Sequence, residues 1–190
     1  MITIRSIYFF AILAIFVSTL IGVGAYYYFR YRRTSKFPYG NFEVLLKKLA
    51  AVDRDNVALI ARDLVDESGH RRTEEDDLDL DPALIYPLIG GLKGLEVLEK
   101  NCTVLVDLAF YVQQWYPEAL NVAEQLRLNA REIEWHVGRL RGATKTGKLE
   151  SSFADNAQRV IATYYVMTRR VLALYEHFNI PGRAELQRAL

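Results

Sequence analysis

Three stretches of this chain bring chemistry-bearing residues together, and each stops short of a working site. Gly142-Ala143-Thr144-Lys145-Thr146-Gly147-Lys148 has the glycine spacing and lysine of a phosphate-cradling loop, but Leu149 follows where that motif needs a Ser or Thr hydroxyl for the metal. The motif also needs a strand before it, and the residues leading to Arg141 have helical periodicity instead. The stretch reads as a flexible, basic turn between helices. Asp77, Asp79 and Asp81 alternate like the first ligands of a calcium loop, yet the sixth and twelfth positions, which require Gly and a bidentate acid, hold Pro82 and Leu88. They read as a solvated acidic linker in which Asp81 caps the next helix.

His70, His136 and His177, the only histidines, lie in different segments. Glu132 and His136 stand one helical turn apart, but a carboxylate-bridged metal pair wants Glu-x-x-His on two helices, so a surface or flank ion pair is the expected role. There is no Gly-x-Ser-x-Gly elbow, and Cys102, the sole cysteine, falls on an apolar stripe where a thiol is inert packing. No catalytic residue, metal ligand or cofactor site is assigned on these grounds, and an enzyme is the least favoured class of function.

The elements that carry these residues are helical. Leu95, Leu98, Cys102, Leu105, Ala109, Val112 and Tyr116 are spaced alternately by three and four, as are Ala119, Ala123, Leu126, Ala130, Ile133, Val137 and Leu140. The same rhythm picks out Phe153, Ala157, Val160, Tyr164, Met167, Val171, Leu174 and Phe178. Each set makes one continuous apolar stripe, the pattern of helices packed at shallow angles in a bundle. Punctuation agrees: Asp81-Pro82 opens one helix, Gly90-Gly91 marks a break or a close helix crossing, and Asn179, Pro181 and Gly182 stop another. Gly142 and Gly147 are expected to bracket a short loop, and Ser152 with Asp155 resembles a capping box. Phe42 to Leu64 reads as one broken helix or two short ones, interrupted at Asp53 to Asn56.

Ahead of this domain lies an uncharged run of 23 residues, Ile7 to Phe29. At about 1.5 Å per residue it is long enough to cross a hydrocarbon core of about 30 Å. Aromatic residues cluster at both ends, Tyr8 to Phe10 and Tyr26 to Phe29 with Tyr31, as at headgroup layers. The competing reading is a cleavable signal ending at Val23-Gly24-Ala25, but a mature chain opening on Tyr26-Tyr27-Tyr28-Phe29 and a basic cluster suits an interface better, so an uncleaved anchor is expected. Arg30, Arg32, Arg33 and Lys36 follow the run and only Arg5 precedes it, which places the N-terminus outside and the rest of the chain in the cytoplasm. The same four cations suit anionic lipid headgroups. One cysteine permits no intrachain disulfide, which fits a reducing compartment. Beyond Phe29 the charges balance, 23 basic against 23 acidic residues, and give no electrostatic case for nucleic acid.

The organisation expected is an anchor with basic flank over 1–33, a short linker over 34–41 and a helical domain over 42–190 carrying an acidic loop at 66–81. The fold class is all-α, a single transmembrane helix followed by a four- or five-helix bundle-like soluble domain. On a helical wheel Leu128 and Trp135 fall almost opposite the stripe of their helix, with Arg131 beside them. Either the helices of 42–64 cover them, which is the expectation for large apolar residues, or they form an exposed patch that anchors a protein partner. A second stripe, Val104, Leu108, Tyr111 and Trp115, marks Leu95 to Tyr116 as the central helix, with Phe110 left on its polar face as a smaller contact point. The function expected is a membrane-held interaction module, an adaptor or assembly subunit, whose partners are the bilayer and another protein or a second copy. A small-molecule sensor or carrier with an apolar pocket in the bundle is the alternative.

Overall fold

The computed structural model describes the backbone of residues 4–34, 41–66 and 80–190, and the side chains of 12–29 within the first of these ranges. Two compact units result, residues 1–40 and 41–190. The first contains one helix, α1 (Ile4–Thr34), whose window Ile12–Phe29 is long and apolar enough to cross a membrane and has none of its side chains buried. The basic residues Arg30, Arg32, Arg33 and Lys36, and most of the acidic loop including Asp77 and Asp79, lie outside the described side chains.

The second unit is all-α among the described residues. It is built from three long helices, α5 (Gly91–Gln113), α6 (Ala119–Lys145) and α7 (Leu149–His177), and four short ones, α2 (Phe42–Lys48), α3 (Arg54–Ala61), α4 (Pro82–Ile89) and α8 (Arg183–Ala189). The long helices pack on one another; α2 packs on α5, α3 and α8 on α7, and α4 on both. The stripes read from the sequence are the core: all their members are buried except Tyr116, Ala130 and Phe178, which are half-buried. Burial of each Leu, Ile or Met contributes about 1.5–3 kcal/mol. The centre is shared rather than held by one helix. α7 buries a second set, Ile161, Ala162 and Tyr175, because it touches α3, α4 and α8 as well as its long neighbours.

Local chemistry sets the boundaries. Asp53 accepts from the N–H groups of Asp55 (3.1 Å) and Asn56 (3.0 Å), and Asp81 from that of Ala83 (2.9 Å), so α3 and α4 are capped by the acids at their starts. Gly90, at φ +77°, ends α4 and lets α5 begin at once. The α6 and α7 ends share one closure. Lys148 N–H reaches the Ala143 carbonyl (3.0 Å) around a left-handed Gly147, and Ile180 N–H reaches the Tyr175 carbonyl (2.9 Å) around a left-handed Asn179.

Two boundaries differ from the sequence expectation. Gly142 is inside α6, which continues to Lys145, so the turn is only Thr146 to Lys148. Ser152 caps nothing, because α7 starts a turn earlier at Leu149; Asp155 pairs with Arg159 at 3.1 Å instead.

Candidate functional site

α6 has two apolar faces and the bundle uses one. Its substantial contacts are with α5 and α7, which bury Ala123, Leu126, Ile133, Val137 and Leu140. The short helices settle on α5 and α7, so the expected cover from residues 42–64 does not reach the far side of α6. Leu128 is 59 % exposed and Trp135 56 %, and Arg131 is exposed with them. α2 packs on α5, and α3 on α7 and α4, instead.

Trp135 is held in place rather than loose. The Arg139 guanidinium lies 4.8 Å from its ring centroid, and the His136 ring meets it edge-on at 4.7 Å. His136, read from the sequence as part of a surface or flank ion pair with Glu132, is itself buried. Its Nδ1 is 2.8 Å from Asn156 Oδ1, and Asn156 Nδ2 donates to the Ser152 carbonyl at 2.7 Å. Because the amide nitrogen of Asn156 is spent on Ser152, its oxygen accepts, and His136 carries its proton on Nδ1. This pair fixes the rotation of α6 against α7, and with it the outward aim of Trp135. Beside the patch, Arg127 and Arg131 line a shallow groove of about 420 Å³ between α5 and α6, together with Glu99, Lys100 and Glu134. Arg127 also pairs with Glu124 at 2.8 Å.

Phe110 is half-buried on α5 and is not among the residues that line this groove. Trp115, expected in a second buried stripe, is 48 % exposed. It lines an open groove of about 560 Å³ with Phe42, Leu46, Tyr111, Ile180 and Pro181, flanked by Glu43 and Glu185. Sequence reasoning missed this groove because its walls come from α2, α5 and the α7–α8 turn. The signal available was the density of aromatics at three element ends.

The titratable groups inside the bundle are arranged for packing. Burial, and then the charge of Glu99, push the Cys102 thiol far up, so the thiolate is suppressed. Burial pushes the Tyr164 phenol up to about 12, and that of Tyr175 higher. Among the described residues no three of His, Cys, Asp and Glu come together as metal ligands do. No protein family, curated protein or solved structure matches this chain.

Proposed function

We propose that this protein is a membrane-anchored helical interaction module, an adaptor or assembly subunit that presents the outer face of α6 at the cytoplasmic surface of the bilayer. The observation that carries the reading is the exposure of Trp135, Leu128 and Arg131 on one face of α6, opposite the buried stripe of the same helix. An exposed aromatic held by a cation, with an aliphatic and an arginine beside it, is the composition that anchors protein interfaces. α1 supports the membrane part of the reading, and the basic residues Arg30, Arg32, Arg33 and Lys36 after the apolar run support a cytoplasmic domain and contact with anionic headgroups. A tether raises the local concentration of a weak surface and so makes it effective.

The test is co-purification from detergent extracts of membranes. Replacing Arg131 and Trp135 together by Ala removes the associated protein while the domain stays within about 1 kcal/mol of wild-type stability, as exposed substitutions do. Retention of the partner, or loss of folding, contradicts the assignment.

A second reading, a carrier or sensor for an apolar ligand, is favoured by the groove around Phe42 and Trp115. It requires a ligand-dependent rise in melting temperature that is abolished by Trp115→Ala.

A further inference from the structure

The outer face of α6 has an order of charges that reads the same way backwards with the signs exchanged. Along it run Glu124, Leu128, Arg131, Glu132, Trp135 and Arg139, an acid towards the start of the helix, a base towards its end and two large apolar residues between. All six fall within one side of the helical wheel, and none of the short helices covers it. A face with acid at one end and base at the other is complementary to its own copy running antiparallel. With a twofold axis between Arg131 and Glu132, Leu128 stands opposite Trp135 of the second copy, Glu124 opposite Arg139, and Arg131 opposite Glu132. The face carries two acids and two bases, so its pairing leaves no net charge at the contact.

We propose that α6 is a self-association surface on which two copies of this chain pair antiparallel about an axis between Arg131 and Glu132. This rests on the reading of α6 as an interaction face and names its occupant. A twofold contact is isologous, so every pair occurs twice and each apolar anchor is covered by the other. One helix face is smaller than the about 800 Å² per partner of a stable soluble complex. The pairing therefore depends on confinement of both chains to one bilayer, which supplies the missing affinity through effective concentration.

The experiment uses the full chain in phosphatidylcholine vesicles and disulfide formation between introduced cysteines. Cys102 is buried with a suppressed thiolate and gives a silent background. Mild oxidation of a mixture of Leu128→Cys and Trp135→Cys chains yields the mixed 128–135 disulfide in excess of either symmetric product, and the yield falls as lipid dilutes the protein. Glu124→Arg and Arg139→Glu each lower the cross-linked fraction several-fold, and the two together in one chain restore it. Glu124 and Arg139 lie 15 positions apart, about 22 Å along one helix, so rescue can come only from contact between copies. Absence of the mixed disulfide, or of the charge-swap rescue, overturns self-pairing. If Arg131→Ala/Trp135→Ala still releases a different co-purifying protein, only the occupant is wrong and the interaction face stands. If no association depends on that face, both readings fall.

Discussion

Asn101, on α5, closes both backbone groups of Ala50. Its Oδ1 accepts from the Ala50 N–H at 2.9 Å and its Nδ2 donates to the Ala50 carbonyl at 2.8 Å. Ala50 lies in the non-helical link between α2 and α3, where its own N–H and carbonyl have no partner in a helix ladder. One side-chain amide thus does for this link what a neighbouring strand does in a sheet. Asn101 is 1 % exposed whereas Ala50 is exposed, so Asn101→Leu removes two part-buried hydrogen bonds whose backbone groups water can partly reach, and urea denaturation is expected to show a loss of about 1–2 kcal/mol. A loss under about 1 kcal/mol contradicts the clamp.

The same Asn101 nitrogen lies 3.3 Å from the Tyr164 hydroxyl, and burial pushes that phenol up to about 12 from its ordinary 10.0. A folded-state pKa above the unfolded one means that Tyr164 stabilises the fold fully below pH 10 and that this contribution disappears as pH rises to about 12. Denaturation midpoints followed from pH 9 to 12 should fall in the wild type and fall less steeply in Tyr164→Phe. A residual slope remains from Tyr175, whose phenol is raised by burial in the same direction. Equal slopes in the two proteins contradict this placement.

Asp107 on α5 is also raised, by burial against the weaker opposing pull of Lys48. Its protonated form is the one the fold prefers, so the group favours folding at pH below the ordinary carboxylate range and works against it at neutral pH. Asp107→Asn is expected to raise the melting temperature at pH 7 and to leave it nearly unchanged at pH 3. A drop at pH 7 indicates that the Lys48 attraction dominates instead.

Glycine positions separate two environments. Gly182 sits at φ +95° against the Phe42 ring, where an added methyl overlaps the aromatic carbons, whereas Gly142 is helical and open on its outer side. Gly182→Ala should cost about 1–2 kcal/mol, and Gly142→Ala should stabilise by up to about 1 kcal/mol. Opposite signs for one and the same substitution, read by thermal denaturation, are the check.

The spacing of apolar residues made the long helices legible, since a three-and-four rhythm sustained over twenty residues has one helical solution. Asp53, Asp81 and Gly90 were legible because each satisfies or ends a helix by local chemistry alone. Gly142 and Ser152 misled for the converse reason: continued packing of α6 and α7 outweighed a locally reasonable stop and cap. Where short helices settle depends on competition between distant surfaces, so the wheel revealed that Leu128 and Trp135 share a face but not that α5 and α7 would draw α2 and α3 away from it. His136 followed the same logic, its burial set by Asn156 twenty residues on.

Whether the apolar run stays in the finished protein governs the account, because the tether gives a small surface its effect. The direct measurement is the intact mass of the protein isolated from membranes after alkaline washing. A species of about 21.8 kDa that retains residues 1–33 and resists extraction is the expected result. A shorter species opening at Tyr26 and released into the wash would contradict it.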